Sequence, residues 1–276
     1  MSDEFREASA YYMVGRPPYS RDLLPVLRGE LGLNGRGRLL DVGCGPGALT
    51  LELAQAFGES VGVDPDPGML AEGRRRAEEA GLSGLRWVQG TAEGLGQLDL
   101  GPFRLVTFGQ SYHWTAGVPV LNTVHGMLEP GGTVAIVGHR VEGRPVPAGP
   151  GLPRIPEEEV KQLVEEYADN LAARVKKGKR ATPHLHTADV RASHFGSCRT
   201  IYAPGRPDVV RNVDSVVAGY YSTSYAAPRH FGTRRAAFED AVRALLLERS
   251  PTGLFWDWPG DTEIVLADAS RTPLSG

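Results

Sequence analysis

Two acidic residues and a short set of glycines near the start of the chain form the first group that can do chemistry. Asp41 lies in an apolar run that Gly43 and Gly45 follow directly. Asp64 ends the next apolar run. Glycines after a buried strand allow the sharp turn and the close backbone approach that a nucleotide-type cofactor needs, and an acid at the tip of the second strand can accept hydrogen bonds from ribose hydroxyls. The spacing therefore predicts a cofactor site at the first strand-to-helix turn.

The position of Asp41 distinguishes between two classes of cofactor. Gly43, Gly45 and Ala48 satisfy the loose G-x-G-x-x-G/A pattern, so a nicotinamide or flavin cofactor stays open as an alternative. A carboxylate just before the turn would repel a pyrophosphate, because like charges at short range in a partly buried site raise the free energy of binding. S-adenosylmethionine has no phosphate and carries an ammonium and a sulfonium, which an acid attracts. These residues therefore favour S-adenosylmethionine, with S-adenosylhomocysteine as the product.

A second group that can do chemistry is the segment SYHW (111–114), which follows a later apolar run. His113 titrates near neutral pH and can remove a proton from an acceptor hydroxyl or ammonium. The same side chain can instead hydrogen-bond the loop backbone or order the cofactor, with Trp114 as a wall of the site. Both interpretations of His113 stay open.

Strands and helices that alternate along the first half of the chain must position these residues. Residues 38–42 and 61–64 predict buried strands, with a helix between them from Ala48 to about Phe57. Residues 103–108 predict a further strand, and a loop from Gly109 to Trp114 that contains the SYHW segment follows it. Open α/β sheets bind ligands at the carboxyl ends of their strands, which is where both groups lie. Further along, residues 156–178 predict a charged amphipathic helix.

Four segments resemble the motifs of the class I S-adenosylmethionine-dependent methyltransferases, in the same order and at the expected spacing. They are DVGCGPG with VGVDP, then WVQGTAEGL (87–95), FRLVTFGQSYHW (103–114) and MLEPGGTVAIV (127–137). The SYHW loop is similar to that of bacterial small-molecule enzymes of the methyltransferase type 11 group, which ends in Phe/Tyr-His-Trp. The resemblance covers about residues 38 to 140 strongly.

This resemblance implies a Rossmann-like α/β fold. The sheet would have seven mostly parallel strands, with the last strand antiparallel and placed between strands five and six, and a helical cap would cover the acceptor site. Four parts follow: an N-terminal helical lid (1–37), the cofactor-binding core (38–140), an inserted cap region (141–194) and a C-terminal part (195–276) that completes the sheet. The last part includes a cap helix near 213–225.

The resemblance also assigns a cofactor site. Arg16 is assigned to the methionine carboxylate, and Met69 falls where the family packs an apolar side chain against adenine, although a core position explains Met69 as well. Thr91 stands where the family commonly has an aspartate or another polar residue, which leaves its side-chain contact open, whereas a backbone contact from Ala92 needs no side chain. The assigned cofactor-binding residues are Arg16, Asp41, Gly43, Cys44, Gly45, Asp64, Pro65, Met69, Thr91, Ala92, Glu93 and Gln110.

Aromatic residues in distant parts of the chain are the candidates for the acceptor site. In the family a segment such as GRPPYS (15–20) lies across the cofactor as a lid, and packing of its tyrosines on the sheet is the alternative. Later tyrosines suit a pocket that holds a cationic amine or a flat ring, while core packing explains each of them equally well. The predicted catalytic residues are His113 and Tyr19, and the predicted acceptor-binding residues are Tyr11, Tyr12, Trp114, Tyr220, Tyr221 and Tyr225.

Composition and charge limit the partners of the chain. The 276 residues, 41% of them hydrophobic, can bury a real core as one large domain or as a domain with an appendage. A net charge of −3 gives no general attraction to nucleic acid or anionic lipid. The two cysteines lack metal-ligand spacing, and we expect no metal. An acidic, polar start and the lack of a bilayer-length apolar run predict a cytoplasmic protein.

These observations predict an enzyme that moves a methyl group from S-adenosylmethionine to a nitrogen or oxygen atom of a small molecule by direct in-line displacement. A secondary metabolite or a small organic acid is the acceptor class that fits best. The Asn/Asp-Pro-Pro-aromatic sequence that marks amino-group methylation of DNA and glutamine is absent. Methylation of nucleic acid or protein, NAD binding, and cofactor binding without turnover stay open as alternatives. The choice between nitrogen and oxygen and the oligomeric state are open as well.

Overall fold

The computed structural model describes residues 9–169, 183–223 and 225–269, which fall into two compact units. The sheet unit comprises the described parts of residues 20–139, 180–204 and 262–276. The helical unit comprises the described parts of residues 1–19, 140–179 and 205–261. Within the described residues, none of the helices has both the length and the apolar character that a membrane crossing requires.

The strands form one large sheet in the sheet unit and a two-stranded ladder in the helical unit. In chain order they are β1 (Arg38–Val42), β2 (Glu59–Asp64), β3 (Leu85–Gln89), β4 (Phe103–Gly109), β5 (Leu128–Arg140), β6 (Arg199–Ala203), β7 (Val210–Asn212), β8 (Leu254–Trp256) and β9 (Asp261–Asp268).

The large sheet has the strand order β3-β2-β1-β4-β5-β9-β6. Neighbouring strands from β3 to β5 run parallel, and Leu40 of β1 lies beside Val61 of β2 on one side and Val106 of β4 on the other. Strands β6 and β9 run antiparallel, with Ile201 beside Ile264. The predicted Rossmann-like sheet is therefore confirmed, including the position of the last strand between the fifth and the sixth.

Each of the two units also contains helices. They are α1 (Ser9–Gly15), α2 (Leu23–Leu31), α3 (Ala48–Leu53), α4 (Pro67–Glu79), α5 (Val118–Met127), α6 (Glu157–Tyr167), α7 (Pro183–Ala192), α8 (Val213–Tyr221) and α9 (Arg235–Arg249). Helix α6 covers the first part of the amphipathic helix predicted over 156–178, and residues 170–178 of that prediction lie outside the described residues.

Apolar strands and the indole ring of Trp87 determine how the sheet unit packs. Both neighbours of β1 in the sheet are apolar strands, which matches the near-continuous hydrophobic runs of parallel strands that are buried on both faces. Trp87 of β3 lies against three glycines, Gly47, Gly62 and Gly73, where a Cβ atom would come within 2.5, 2.9 and 2.7 Å of ring atoms. No real Cβ fits at such distances. The turn after β1, strand β2 and helix α4 therefore close on the same ring.

An aromatic core holds the helical unit together. Phe231 and Phe238 stack with their ring centroids 4.0 Å apart, and Tyr221 packs against both rings. Phe255 of β8 is fully buried in the same core. These rings join α8, α9 and the β7–β8 ladder.

Helix α1 is attached to α8 through a backbone contact. A Cβ atom on Gly15 would lie 2.4 Å from the carbonyl oxygen of Ala218, and one on Gly219 would lie 2.9 Å from the carbonyl oxygen of Gly15. The buried guanidinium of Arg211 donates to the Gly15 oxygen at 2.9 Å and to Asp257 at 3.0 Å. The end of α1 is thus fixed against α8, which also fixes the tyrosines that α1 carries.

Candidate functional site

The turn after β1 takes a backbone path that only glycine adopts easily. Gly43, Gly45 and Gly47 all have positive φ angles, of 65°, 53° and 78°. The amide groups of Gly43 and Cys44 both donate to the carbonyl oxygen of Val63, at 2.8 and 3.1 Å, which ties the turn to the end of β2. Among the described residues, and apart from Gly45 and its two chain neighbours, no atom lies within 4 Å of the point that a Cβ atom on Gly45 would occupy. The turn therefore keeps open space beside Gly45 while its ends are held.

Asp64 holds this turn from the tip of β2. One carboxylate oxygen accepts the Gly45 amide at 2.9 Å, and the other accepts the Asp66 amide at 2.9 Å. Burial raises the pKa of the Asp64 carboxyl, against the opposing effect of these two amide donors. Each oxygen has a second lone pair, so the carboxylate can still accept hydrogen bonds from ligand hydroxyls.

Asp41 lies beneath the turn with almost no contact with solvent. Its side chain is 1% exposed, and its two oxygens accept hydrogen bonds from the hydroxyls of Thr50 at 2.6 Å and Thr107 at 2.8 Å. Burial raises the pKa of this carboxyl to about 6, and the hydroxyl bonds oppose that rise. The Asp41 carboxylate therefore acts on a ligand at the turn through its electric field rather than through exposed atoms.

Asp66 adds a third carboxyl group to this neighbourhood. One of its oxygens caps helix α4 by accepting the amides of Gly68 at 2.7 Å and Met69 at 3.2 Å. The other oxygen is buried without a hydrogen-bond partner. The negative charge of Asp66 contributes to the raised pKa of Asp64. The carboxyl groups around the turn therefore favour a positively charged ligand.

The residues predicted to frame adenine form a second, neighbouring set. The Thr91 hydroxyl oxygen accepts the Gly94 amide at 3.2 Å and so caps a short 3₁₀ turn, while its O–H stays able to donate. The Glu93 carboxylate accepts the Ala116 amide at 3.0 Å, which links this turn to the loop after β4. Met69 and Ala92 are buried. The Pro65 carbonyl accepts from the Gln89 side chain at 3.2 Å.

The loop after β4 begins with an unusual backbone conformation. Gln110 has a φ of +56°, which costs a non-glycine residue free energy and is often found at functional sites. Its amide donates to the carbonyl of Val137 at 3.0 Å. The Ser111 hydroxyl donates to the Val42 carbonyl at 2.5 Å, and a Cβ on Gly43 would lie 2.6 Å from the Ser111 Cβ. The β4 loop and the glycine turn are thereby held together.

His113 and Trp114 follow in this loop as half-buried side chains. Their ring centroids are 5.3 Å apart. The backbone amide of Trp114 donates to the Ser111 carbonyl at 3.0 Å, so both rings stand on a tight turn. The sheet unit thus brings His113, Trp114 and the glycine turn to the same end of β1 and β4. The predicted roles of His113 and Trp114 stay predictions.

The remaining predicted residues lie in the helical unit. The Arg16 guanidinium donates to the Ser222 carbonyl at 2.9 Å and lies 5.3 Å from the centroid of the Tyr12 ring, and its Nε is buried without a partner. The Tyr11 hydroxyl accepts from Arg235 at 2.6 Å. Tyr19 is half-buried. The predicted lid, and the contact of Arg16 with the cofactor, stay predictions.

The later tyrosines differ in their surroundings. Tyr221 is 1% exposed and lies in the aromatic core, where burial raises the pKa of its phenol to about 12. Tyr220 and Tyr225 are half-buried, and burial raises the pKa of each phenol above its ordinary value. All three phenols keep their protons at neutral pH, so they can donate hydrogen bonds but cannot act as bases. Their role in acceptor binding stays a prediction.

Several residues that shape the site were not predicted from the sequence. Thr50, Thr107 and Ser111 carry ordinary hydroxyls, and only the packing of β1, α3 and β4 reveals that they bind Asp41 and the turn. Asp66 could have been found, because an acid directly before a proline is a typical start of a helix, with Pro67 at its first position.

Comparisons with known proteins agree with this geometry. Residues 39–132 match the family described as methyltransferase domain. This stretch covers the glycine turn, both acidic residues and the β4 loop. Residues 39–132 of the chain form a methyltransferase domain. The recognition made from the four sequence motifs is therefore confirmed for the core of the chain.

Two relatives and one solved structure illustrate the range of similar proteins. An uncharacterised methyltransferase of Mycobacterium tuberculosis is 34% identical over 137 residues, which cover 50% of this chain and 52% of that protein. A ubiquinone biosynthesis O-methyltransferase of Azorhizobium caulinodans is 47% identical over 58 residues, which cover 21% of this chain and 22% of that protein. The matched part of this chain thus spans about half or less of the length of these relatives.

The solved structure is that of the cyclase SpnF. It covers 96% of this chain and 93% of its own length, with 17% sequence identity and a TM-score of 0.54. Similarity at this identity shows the fold alone. A cyclase with this fold also shows that the chemistry must be argued from the site.

Replacing Asp41 by asparagine should change how stability depends on pH. A carboxyl group whose pKa is higher in the folded protein than in the unfolded chain stabilises the fold only while it is protonated. For Asp41 this stabilisation is complete below pH 3.8, the ordinary pKa, and it is lost as the pH rises through about 6, the pKa in the folded protein. Relative to Asp41→Asn, the wild type should lose up to about 3 kcal/mol of unfolding free energy between pH 4 and pH 7. Urea titrations of both proteins across this range measure the difference. Parallel curves would show that the Asp41 carboxyl is not buried as described.

Proposed function

We propose that this protein is an S-adenosylmethionine-dependent methyltransferase that methylates a nitrogen or oxygen atom of a small molecule. The observation that carries the proposal is the set of carboxyl groups at a glycine turn within a methyltransferase domain. A buried negative charge at this place favours a cationic ligand and opposes a diphosphate.

The residues at the turn fit the cofactor that the family uses. Gly45 leaves open space where a side chain would project, and Asp64 keeps lone pairs for hydroxyl groups. The negative charges of Asp41 and Asp64 match the ammonium and sulfonium of S-adenosylmethionine. We assign the binding of its ribose to Asp64, and the contact with its adenine to Met69 and Ala92. The glycine turn would hold its methionine part through backbone groups.

The chain itself contributes to the reaction by positioning the reactants and by accepting a proton. S-adenosylmethionine, when bound, supplies a methyl group that is already activated by the positive sulfur. The protein then needs to orient the acceptor, exclude water and, for a hydroxyl or ammonium acceptor, accept a proton. His113 is the side chain that we assign to holding this proton, on one nitrogen of its imidazole, and Trp114 is assigned to excluding water.

A small acceptor is supported by three observations. The β4 loop carries SYHW instead of the sequence that marks methylation of DNA and glutamine. The net charge of −3 offers no general attraction to nucleic acid. Relatives that match part of the chain include ubiquinone biosynthesis O-methyltransferases, whose name describes oxygen methylation of a small molecule. A secondary metabolite or a small organic acid stays the acceptor class that we propose.

Calorimetry with two cofactors tests the proposal directly. We expect the wild type to bind S-adenosylhomocysteine and to show no measurable binding of NAD. Asp64→Asn should weaken S-adenosylhomocysteine binding about 10- to 100-fold, because it removes the charge and one acceptor oxygen at the turn. The matched control is Asp22→Asn, an exposed acid before α2 whose side chain caps nothing. Binding of NAD without S-adenosylhomocysteine would refute the proposal.

His113→Ala separates the two interpretations of the β4 loop. If His113 accepts the proton, methyl transfer to a panel of small phenols, amines and carboxylic acids should fall about 100-fold, while S-adenosylhomocysteine affinity stays within about twofold. Formation of S-adenosylhomocysteine measures the turnover. His194→Ala, at an exposed histidine of the same unit, is the control and should behave like the wild type. Loss of cofactor affinity in His113→Ala would instead assign a structural role to His113.

A further inference from the structure

Tyr112, the residue directly before His113, is a buried side chain of the β4 loop with contacts on several sides. It is 3% exposed, whereas His113 and Trp114, the two residues that follow it, are half-buried. Its ring meets the ring of Phe108 edge-on, with centroids 5.5 Å apart. Its carbonyl oxygen accepts both the amide and the hydroxyl of Thr115, at 3.0 and 2.9 Å. The contacts of Tyr112 therefore help to fix the backbone that carries His113.

Helix α7 supplies the other side of the Tyr112 pocket. The Tyr112 hydroxyl donates to the Asp189 carboxylate at 2.9 Å. The His186 ring, three residues earlier on the same helix, lies edge-on to the Tyr112 ring with centroids 5.2 Å apart. Residues three apart share one face of a helix, so α7 presents both groups to a single tyrosine.

The His186 side chain is suited to confining a ring rather than to carrying charge. Its Nε2 is buried without a hydrogen-bond partner, and burial lowers the pKa of the imidazole, against the opposing charges of Glu263 and Asp189. Loss of charge makes the His186 imidazole a flat, weakly polar wall beside Tyr112. The directional contact with Tyr112 comes from Asp189.

We propose that Asp189 is a positioning residue for methyl transfer: through its hydrogen bond with Tyr112 it fixes the orientation of His113 at the end of β4. This inference rests on the proposed function, because it assigns α7 a role in the same site. Asp189 itself lies outside the glycine turn and the β4 loop, and no sequence motif points to it.

The physical basis is the sensitivity of the reaction to geometry. A displacement of about 1 Å at the reacting groups can cost about 100-fold in rate. Tyr112 and His113 are adjacent, so a rotation of the Tyr112 backbone moves the imidazole directly. The bond of Ser111 with Val42 and that of Ala116 with Glu93 hold the two ends of the loop, and the bond of Tyr112 with Asp189 lies between them.

A double-mutant cycle tests this assignment. Asp189→Ala and Tyr112→Phe each remove the hydrogen bond and should lower kcat about 10- to 100-fold, with KM for S-adenosylmethionine within about twofold. The double variant should be no slower than the slower single variant, because both changes break the same contact. Asp189→Asn keeps a carbonyl oxygen at the same place and should restore most of the rate. Arg191→Ala, at an exposed residue of the same helix, is the control.

A second readout does not depend on turnover. In the NMR spectrum of protein with labelled histidines, the His113 signal is identified by its loss in His113→Ala. That signal should shift in Asp189→Ala and in Tyr112→Phe, and it should stay in place in Asp189→Asn and Arg191→Ala. An unchanged His113 signal in Asp189→Ala, or additive losses of rate in the cycle, would overturn the assignment.

The failure of this inference can be told apart from the failure of the proposed function. If the wild type does not bind S-adenosylhomocysteine, the proposed function fails, and the His113 signal still reports whether Asp189 fixes the loop. If the wild type binds it and the Asp189→Ala variant keeps its rate, Asp189 has no positioning role and the proposed function stands.

Discussion

The structure depends on one electrostatic constraint, the burial of the Asp41 carboxyl beneath the glycine turn. Removing a carboxylate from water costs free energy unless hydrogen bonds or a positive charge compensate it. Thr50 and Thr107 compensate part of this cost, and the raised pKa shows that a part remains. A cationic ligand at the turn would offset the rest. The same constraint makes a diphosphate a poor ligand.

The surrounding contacts keep the turn and its charges in place. Asp64 accepts an amide from the turn, and Ser111 binds the end of β1 and packs on Gly43, so the strands β1, β2 and β4 meet at one point. Trp87 of β3, on the far side of β2 from β1, packs against the same turn, which is why glycine is required at three positions against its ring. The loop that carries His113 leaves from this point, and α7 holds its centre through Tyr112.

The sequence predicted the parts of the molecule that depend on local pattern. The buried strands and the glycine turn followed from apolar runs and glycine spacing, because parallel buried strands and sharp turns restrict residue types strongly. The strand order and the antiparallel last strand followed from the resemblance to the methyltransferase family. Contacts that depend on tertiary packing could not be predicted. Ordinary hydroxyls such as Thr107 and Ser111 give no signal of their partners, and Asp189 lies far from its partner Tyr112 along the chain. The sequence around Tyr221 fits a pocket residue and a core residue equally well, and only the burial of its side chain in the structure distinguishes the two.

Proton exchange on cofactor binding tests the central claim most directly. Titration calorimetry with S-adenosylmethionine at pH 6, in buffers of different ionisation enthalpy, counts the protons that binding releases. A positive ligand near Asp41 lowers the pKa of that carboxyl from about 6, so the wild type should release a fraction of a proton and Asp41→Asn should release less. Equal proton exchange in the two proteins, or proton uptake by the wild type, would contradict the account.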